Sequence, residues 1–203
     1  MASAWAGVDL LERAVGHALA CTNEVTPGQL ASPTPCAEWN LRALLAHICD
    51  SARVLREAII CGRISRMLSQ VPEPAGPGPR WRTHPAAAFR AEATLLLGAC
   101  AAESSERHVT IGDRQLTADL VAATGAIDLA VHGWDISAAC GSDRPIPPVL
   151  ARDLLEVACL VVNGAARPGL FGEPLKIPPV SCPGDKLVAL LGRNPRTEER
   201  RIR

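Results

Sequence analysis

The stretch Asp128–Ser137, DLAVHGWDIS, decides how this chain is read. Its neighbourhood is apolar enough to be a buried helix, yet it carries an acid, a histidine and a second acid. Burying ionisable groups without partners is costly, so these three need one. Asp128 and His132 stand four residues apart and Asp135 three further on. At about 100° per residue, all three fall on one helical face. The apolar stripe of Leu120, Ile127 and Val131 runs beside that face, so the polar face borders a core instead of pointing away from it.

A carboxylate and an imidazole at this spacing let one helix give two ligands to one ion. A third ligand must come from elsewhere, from His17, His47, His84 or His108. His84 and His108 read as loop or helix-end residues. His47, in LRALLAHICD, sits at the edge of a buried stripe and is the preferred candidate, with His17 in reserve. Two imidazoles and one carboxylate leave a divalent ion with open positions, the pattern of catalytic rather than structural sites. Zinc is the first expectation, with nickel or iron as alternatives. Asp135 is the catalytic candidate, as local base or as the group that orients an imidazole or water.

Outward from this segment the pattern is helical. A first helix is expected from about Val8 to Val25. A second starts at Leu41 behind the N-cap Asn40, with Trp39 against Leu44, and runs to about Arg63. A third covers about Ala86 to Glu103. HVTIGDRQLTA reads as a hairpin about Gly112-Asp113. The fourth helix, capped near Thr117, runs to about Cys140 and stops at Gly141. Pro147 and Pro148 open a fifth, to about Asn163 before Gly164. DKLVALLGR is a short last helix. The expected fold is all-α: a four-helix bundle with a short hairpin, over residues 1–165, and a C-terminal extended segment plus short helix, 166–203, packed on it.

The bulk properties limit function. The 203 residues carry no net formal charge, which argues against nucleic acid or an anionic membrane as the main partner. No stretch has the ~18 apolar residues of a membrane span. Eight cysteines lack any CxxC pair, so they read as free thiols of a cytoplasmic protein, most in helical, apolar surroundings (Cys49, Cys61, Cys100, Cys159). Cys36, near a helix start, reads as structural or as a reactive thiol. Trp39 and Trp134 read as packing residues. Arg80 and Arg82, around Trp81, read as a solvated loop or as a grip on an acidic substrate.

Three blocks, TPCAEWNLRALLAHI, DLAVHGWDISAACG, and FGEPLKIPP with DKLVALLGRNP, together resemble the actinobacterial branch of the DinB-like superfamily. That superfamily includes the mycothiol-dependent maleylpyruvate isomerases. The resemblance spans nearly the whole chain. It implies a DinB-like bundle that binds a divalent metal through His47 and the Asp128–His132 pair, with Asp128 where many relatives have Glu. It also implies mycothiol as cosubstrate and a metal-dependent thiol transferase or isomerase acting on a small molecule. A tailoring enzyme of secondary metabolism (hydrolysis, dehydration or cyclisation) and a non-catalytic metal- or ligand-binding module are the alternatives. A homodimer through an apolar helix face is a further expectation.

Overall fold

The computed structural model describes residues 6–36, 39–64, 84–102, 107–142, 144–162 and 171–195. Four long helices make the body: α1 (Gly7–Thr22), α2 (Leu41–Cys61), α3 (Pro85–Ala102) and α4 (Ala118–Ala139). A fifth, α5 (Pro148–Val161), packs on α4 and α1, and α6 (Pro183–Leu190) packs on α5. Among the described residues, no helix is long and apolar enough to cross a membrane.

Each helix buries what its periodicity dictates. Leu10, Leu11, Ala14, Val15, Ala18 and Cys21 face inward from α1, and Phe89, Ala93, Leu96 and Cys100 from α3. α4 differs, because it is buried nearly all round. It is the central helix, gripped by α1 on one side and α2 on the other, while α3 closes the ring between α2 and α1. Its alanines and glycines allow this. A Cβ on Gly125 would lie 2.4 Å from a methyl of Leu55, and one on Gly133 would lie 3.1 Å from the Ala18 Cα.

Contacts along the helices give their directions. Gly7, opening α1, abuts Asp119, opening α4, and its N–H donates to Asp119 Oδ1 at 2.6 Å. Late in both helices Ala18 meets Gly133, so α1 and α4 run parallel. Early in α2, His47 meets Asp128; later, Leu55 meets Gly125, so α2 and α4 run antiparallel. Cys49 faces the Pro85 carbonyl and Arg56 the Glu92 carboxylate, so α2 and α3 run parallel. The topology is up–down–down–up. It sets the first half of α2 against the second half of α4, which is what builds the site.

The expected helix boundaries hold to within about three residues, with one instructive difference. α2 ends at Cys61, not Arg63, because Gly62 adopts φ +66° and caps it. Arg63–Ile64 then form a strand, β1, which pairs parallel with β2 (His108–Ile111) in the register Arg63↔Thr110. β2 pairs antiparallel with β3 (Arg114–Thr117) around Gly112, at φ +61°. The hairpin is therefore two strands of a three-stranded sheet. A two-residue strand has too little pattern to be read from sequence. The expected fifth-helix end at Asn163 and Gly164, and Arg80 to Arg82, lie outside the described residues.

The α1–α4 contact yields a stability prediction. A Cβ on Gly7 would lie 1.9 Å from the Asp119 carbonyl oxygen, so backbone must shift. Gly7→Ala is expected to cost about 1–3 kcal/mol, more than the few tenths that alanine gains at a helix start. Gly98→Ala, in open space on α3, is expected to be neutral or to stabilise by up to about 1 kcal/mol. Urea unfolding of the two variants measures both.

Candidate metal centre

The site begins with how α2 is started. Asn40 Oδ1 accepts from the Ala43 N–H at 3.0 Å, and the Leu41 and Arg42 N–H groups donate to the Ser32 and Leu30 carbonyls. The preceding turn is tied by Thr34. Its hydroxyl donates to the Trp39 carbonyl at 2.8 Å and accepts from the Cys36 N–H at 3.2 Å. This fixes the places from which Cys36 and Trp39 project. His47 follows two turns into α2.

His47 Nε2 lies 3.4 Å from Asp128 Oδ1, and His132 Nε2 lies 3.3 Å from the same oxygen. Donor atoms of the three residues all fall within 4.8 Å of one another. The Asp128 side chain is 32% exposed, yet its Oδ2 is buried and accepts no hydrogen bond. The Trp39 ring packs tilted against both imidazoles, with centroids 4.5 Å from His47 and 5.8 Å from His132. Ser51, one turn beyond His47, brings its Oγ to 3.4 Å from Nε2.

Behind the histidines lies a second layer. His132 Nδ1 donates to Asp135 Oδ2 at 2.9 Å, and Asp135 has no exposed surface. Arg193, also buried, donates to Asp135 Oδ2 through Nη2 at 3.0 Å and Nε at 3.3 Å. Its Nη1 donates to the Leu191 carbonyl, and its Nη2 lies 3.1 Å from Cys36 Sγ. Arg193 is aimed by the end of α6. The Arg193 N–H bonds to the Val188 carbonyl and the Gly192 N–H to Ala189, with Gly192 at φ +83°, a Schellman closure. Gly192 also sits on Gly172, where a Cβ would meet the Gly172 Cα at 2.6 Å.

The electrostatics follow from burial opposed by neighbouring charge. Burial alone would raise the Asp128 carboxyl, but His132 and His47 hold it well below the usual range. Burial would lower His132, but Asp128 and the hydrogen bond to Asp135 hold it well above. Asp135, pushed up by burial, is held down by Arg193 and His132. The surroundings thus favour the ionised form of both acids and the protonated form of His132 between them.

The chemistry of the donors fits a divalent cation. His132 has its Nδ1 hydrogen committed to Asp135, so its Nε2 is the nitrogen left for a metal, facing His47 and Asp128. The buried, unpartnered Asp128 Oδ2 is the kind of atom a cation would satisfy. A second overlapping group, Cys36, His132 and Asp135, also has donor atoms within 4.8 Å. There the Arg193 guanidinium already stands as the cation.

The sequence-derived residues His47, Asp128, His132 and Asp135 are brought together. Asp135 is placed to orient His132, with no surface left to meet a substrate. The reserve, His17, is elsewhere, buried on α1 beside Cys21. His84 and His108 are exposed, before α3 and at the start of β2. The eight cysteines are free. All four expected in helical, apolar surroundings are on helices, but only Cys49 and Cys100 are buried; Cys61 and Cys159 are exposed, which corrects the apolar part of that reading for them. Arg193 was missed, because a single cation after a helix-ending glycine carries no pattern that reports a buried partner.

Burial, together with the charge of Arg144, pushes His17 down to about 4 from its ordinary value of 6.5. The unfolded chain therefore takes up a proton, below about pH 6.5, that the folded chain refuses until about pH 4. Stability is expected to fall across that window by about 3 kcal/mol from this group. His17→Gln should flatten the fall, as measured by urea unfolding at pH 7 and pH 4.

Comparison with known proteins places the chain in a family. The profile of the mycothiol maleylpyruvate isomerase N-terminal domain matches residues 11–137, more than half of the chain. Two proteins of Mycobacterium tuberculosis, each 29% identical over 187 residues, are similar along most of their length. They are the uncharacterized protein MT0763 of strain CDC 1551 and the uncharacterized protein Rv0738 of strain H37Rv, and the alignment covers 91% of this chain and 96% of each of them. No solved structure matches the chain. The matched span runs from within α1 to near the end of α4 and contains His47, Asp128, His132 and Asp135, and the chain belongs to the mycothiol maleylpyruvate isomerase N-terminal domain family, a DinB-like family.

Proposed function

We propose that this protein is a metal-dependent enzyme acting on a small electrophilic molecule, of the thiol transferase or isomerase type, with mycothiol as cosubstrate. One observation carries the reading. Two imidazole Nε2 atoms converge on one carboxylate whose second oxygen is buried without a partner. Membership of a mycothiol-related family supports the thiol part of the reading. His47, Asp128 and His132 would hold the ion, with zinc the first candidate and nickel or iron next. When bound, the ion would supply Lewis acidity, lowering the pKa of a thiol or polarising a carbonyl.

The chain's own residues do the rest. Asp135 fixes the His132 tautomer by taking its Nδ1 hydrogen, and is a positioning residue in this reading. Trp39 packs an apolar ring against both imidazoles and would help restrict water on that side. Asp128 is partly exposed, and substrate would approach from its side. The protein would work in the cytoplasm on a small molecule, without nucleic acid or membrane. Dimerisation would use an apolar helix face such as that of α5, where Val149 and Leu160 are exposed.

The test is incubation of zinc-loaded and metal-stripped protein with mycothiol and maleylpyruvate. Conversion is expected only with the loaded form. His47→Ala and Asp128→Asn should lower bound metal, by elemental analysis, and remove turnover together. Equal rates with and without metal would overturn the reading.

A further inference from the structure

His132 belongs to two overlapping donor sets. One is His47, Asp128 and His132; the other is Cys36, His132 and Asp135. One imidazole cannot be shared freely between them, because the Nδ1 hydrogen bond to Asp135 decides which nitrogen is left for a metal. The second set has softer chemistry. A thiolate beside an imidazole and a carboxylate is a good zinc site in its own right. Something must keep it from competing.

Arg193 is built to do so. Its guanidinium is buried, with 9% exposure, between Asp135 and Cys36, and it donates to the Asp135 carboxylate from two nitrogens. Nη2 also lies 3.1 Å from the Cys36 sulfur. A planar fork that spans a carboxylate and a thiol at once is something a lysine cannot reproduce. Its backbone is set by the Schellman closure of α6 and the Gly172–Gly192 contact, while its guanidinium reaches into the bundle.

We propose that Arg193 is a positioning residue acting as a built-in counter-cation: it occupies the Cys36–His132–Asp135 set and thereby commits His132 Nε2, and the metal, to His47 and Asp128. This rests on the metal reading of the His47 site. It adds that the C-terminal segment selects the donor set. Without the guanidinium, Cys36 would lose its proton to solvent as a sulfur–metal bond forms, and His132 would be drawn toward the second set.

Cobalt(II) is the probe, because thiolate ligation gives it a sulfur-to-metal charge-transfer band that nitrogen and oxygen ligands do not. The parent protein is expected to bind cobalt without that band, and Cys36→Ser should leave spectrum and affinity unchanged. Arg193→Gln should raise the cobalt Kd by about 10–100-fold and bring in the thiolate band. The double variant Arg193→Gln, Cys36→Ser should lose the band again. A thiolate band in the parent overturns the proposal, as does an Arg193→Gln variant with the parent's spectrum and affinity. Should Arg193→Gln fail to fold, Arg193→Lys serves: a raised Kd supports the proposal and an unchanged one overturns it. No cobalt uptake by the parent would sink the metal reading itself, whereas uptake indifferent to residue 193 sinks only this inference.

Discussion

The structure turns on a chain of linked polar groups running from the buried Arg193 through Asp135 and His132 to Asp128 and His47. Each charged member would be expensive to bury alone, and each is made tolerable by the next. Asp135 sits fully enclosed only because the Arg193 guanidinium and the His132 ring cover its oxygens. His132 is tolerated in the core because carboxylates lie at both of its nitrogens. At Asp128 the linkage runs out of protein partners, with one oxygen bare. This unsatisfied carboxylate is what supports the proposed cation site.

The helices exist largely to hold this linkage in register. α4 supplies three of its members on one face and is wrapped by α1 and α2 at distances only small residues permit. The antiparallel crossing of α2 and α4 brings His47 opposite Asp128. The parallel pairing of α1 and α4, secured by Gly7 on Asp119, holds the central helix from the other side. Packing of this density leaves little room for a ligand side chain to wander, and a preorganised site needs that restraint.

Much of this was legible in the sequence, for identifiable reasons. Helical periodicity put Asp128, His132 and Asp135 on one face, and the Asn40 cap set where α2 begins. Burial at the stripe edge singled out His47 over His17, and the structure keeps His17 apart. What could not be read was whatever depended on long-range placement. Arg193 comes from a segment whose local pattern ends at Gly192, and its partner lies 58 residues earlier. β1 is two residues long and exists only because β2 is beside it. From sequence, Trp39 is a packing residue. It does pack against the core, but it also packs tilted against the two imidazoles, and that contact is invisible until α2 and α4 are crossed.

The position of Trp39 has an optical consequence. The chain has no tyrosine and four tryptophans, so its near-ultraviolet emission comes from indole alone. One of those indoles has its ring centre 4.5 Å from the His47 ring. An open-shell ion held by that imidazole would sit within the range at which excited indole is quenched. The protein thus carries an intrinsic fluorophore beside the proposed metal site.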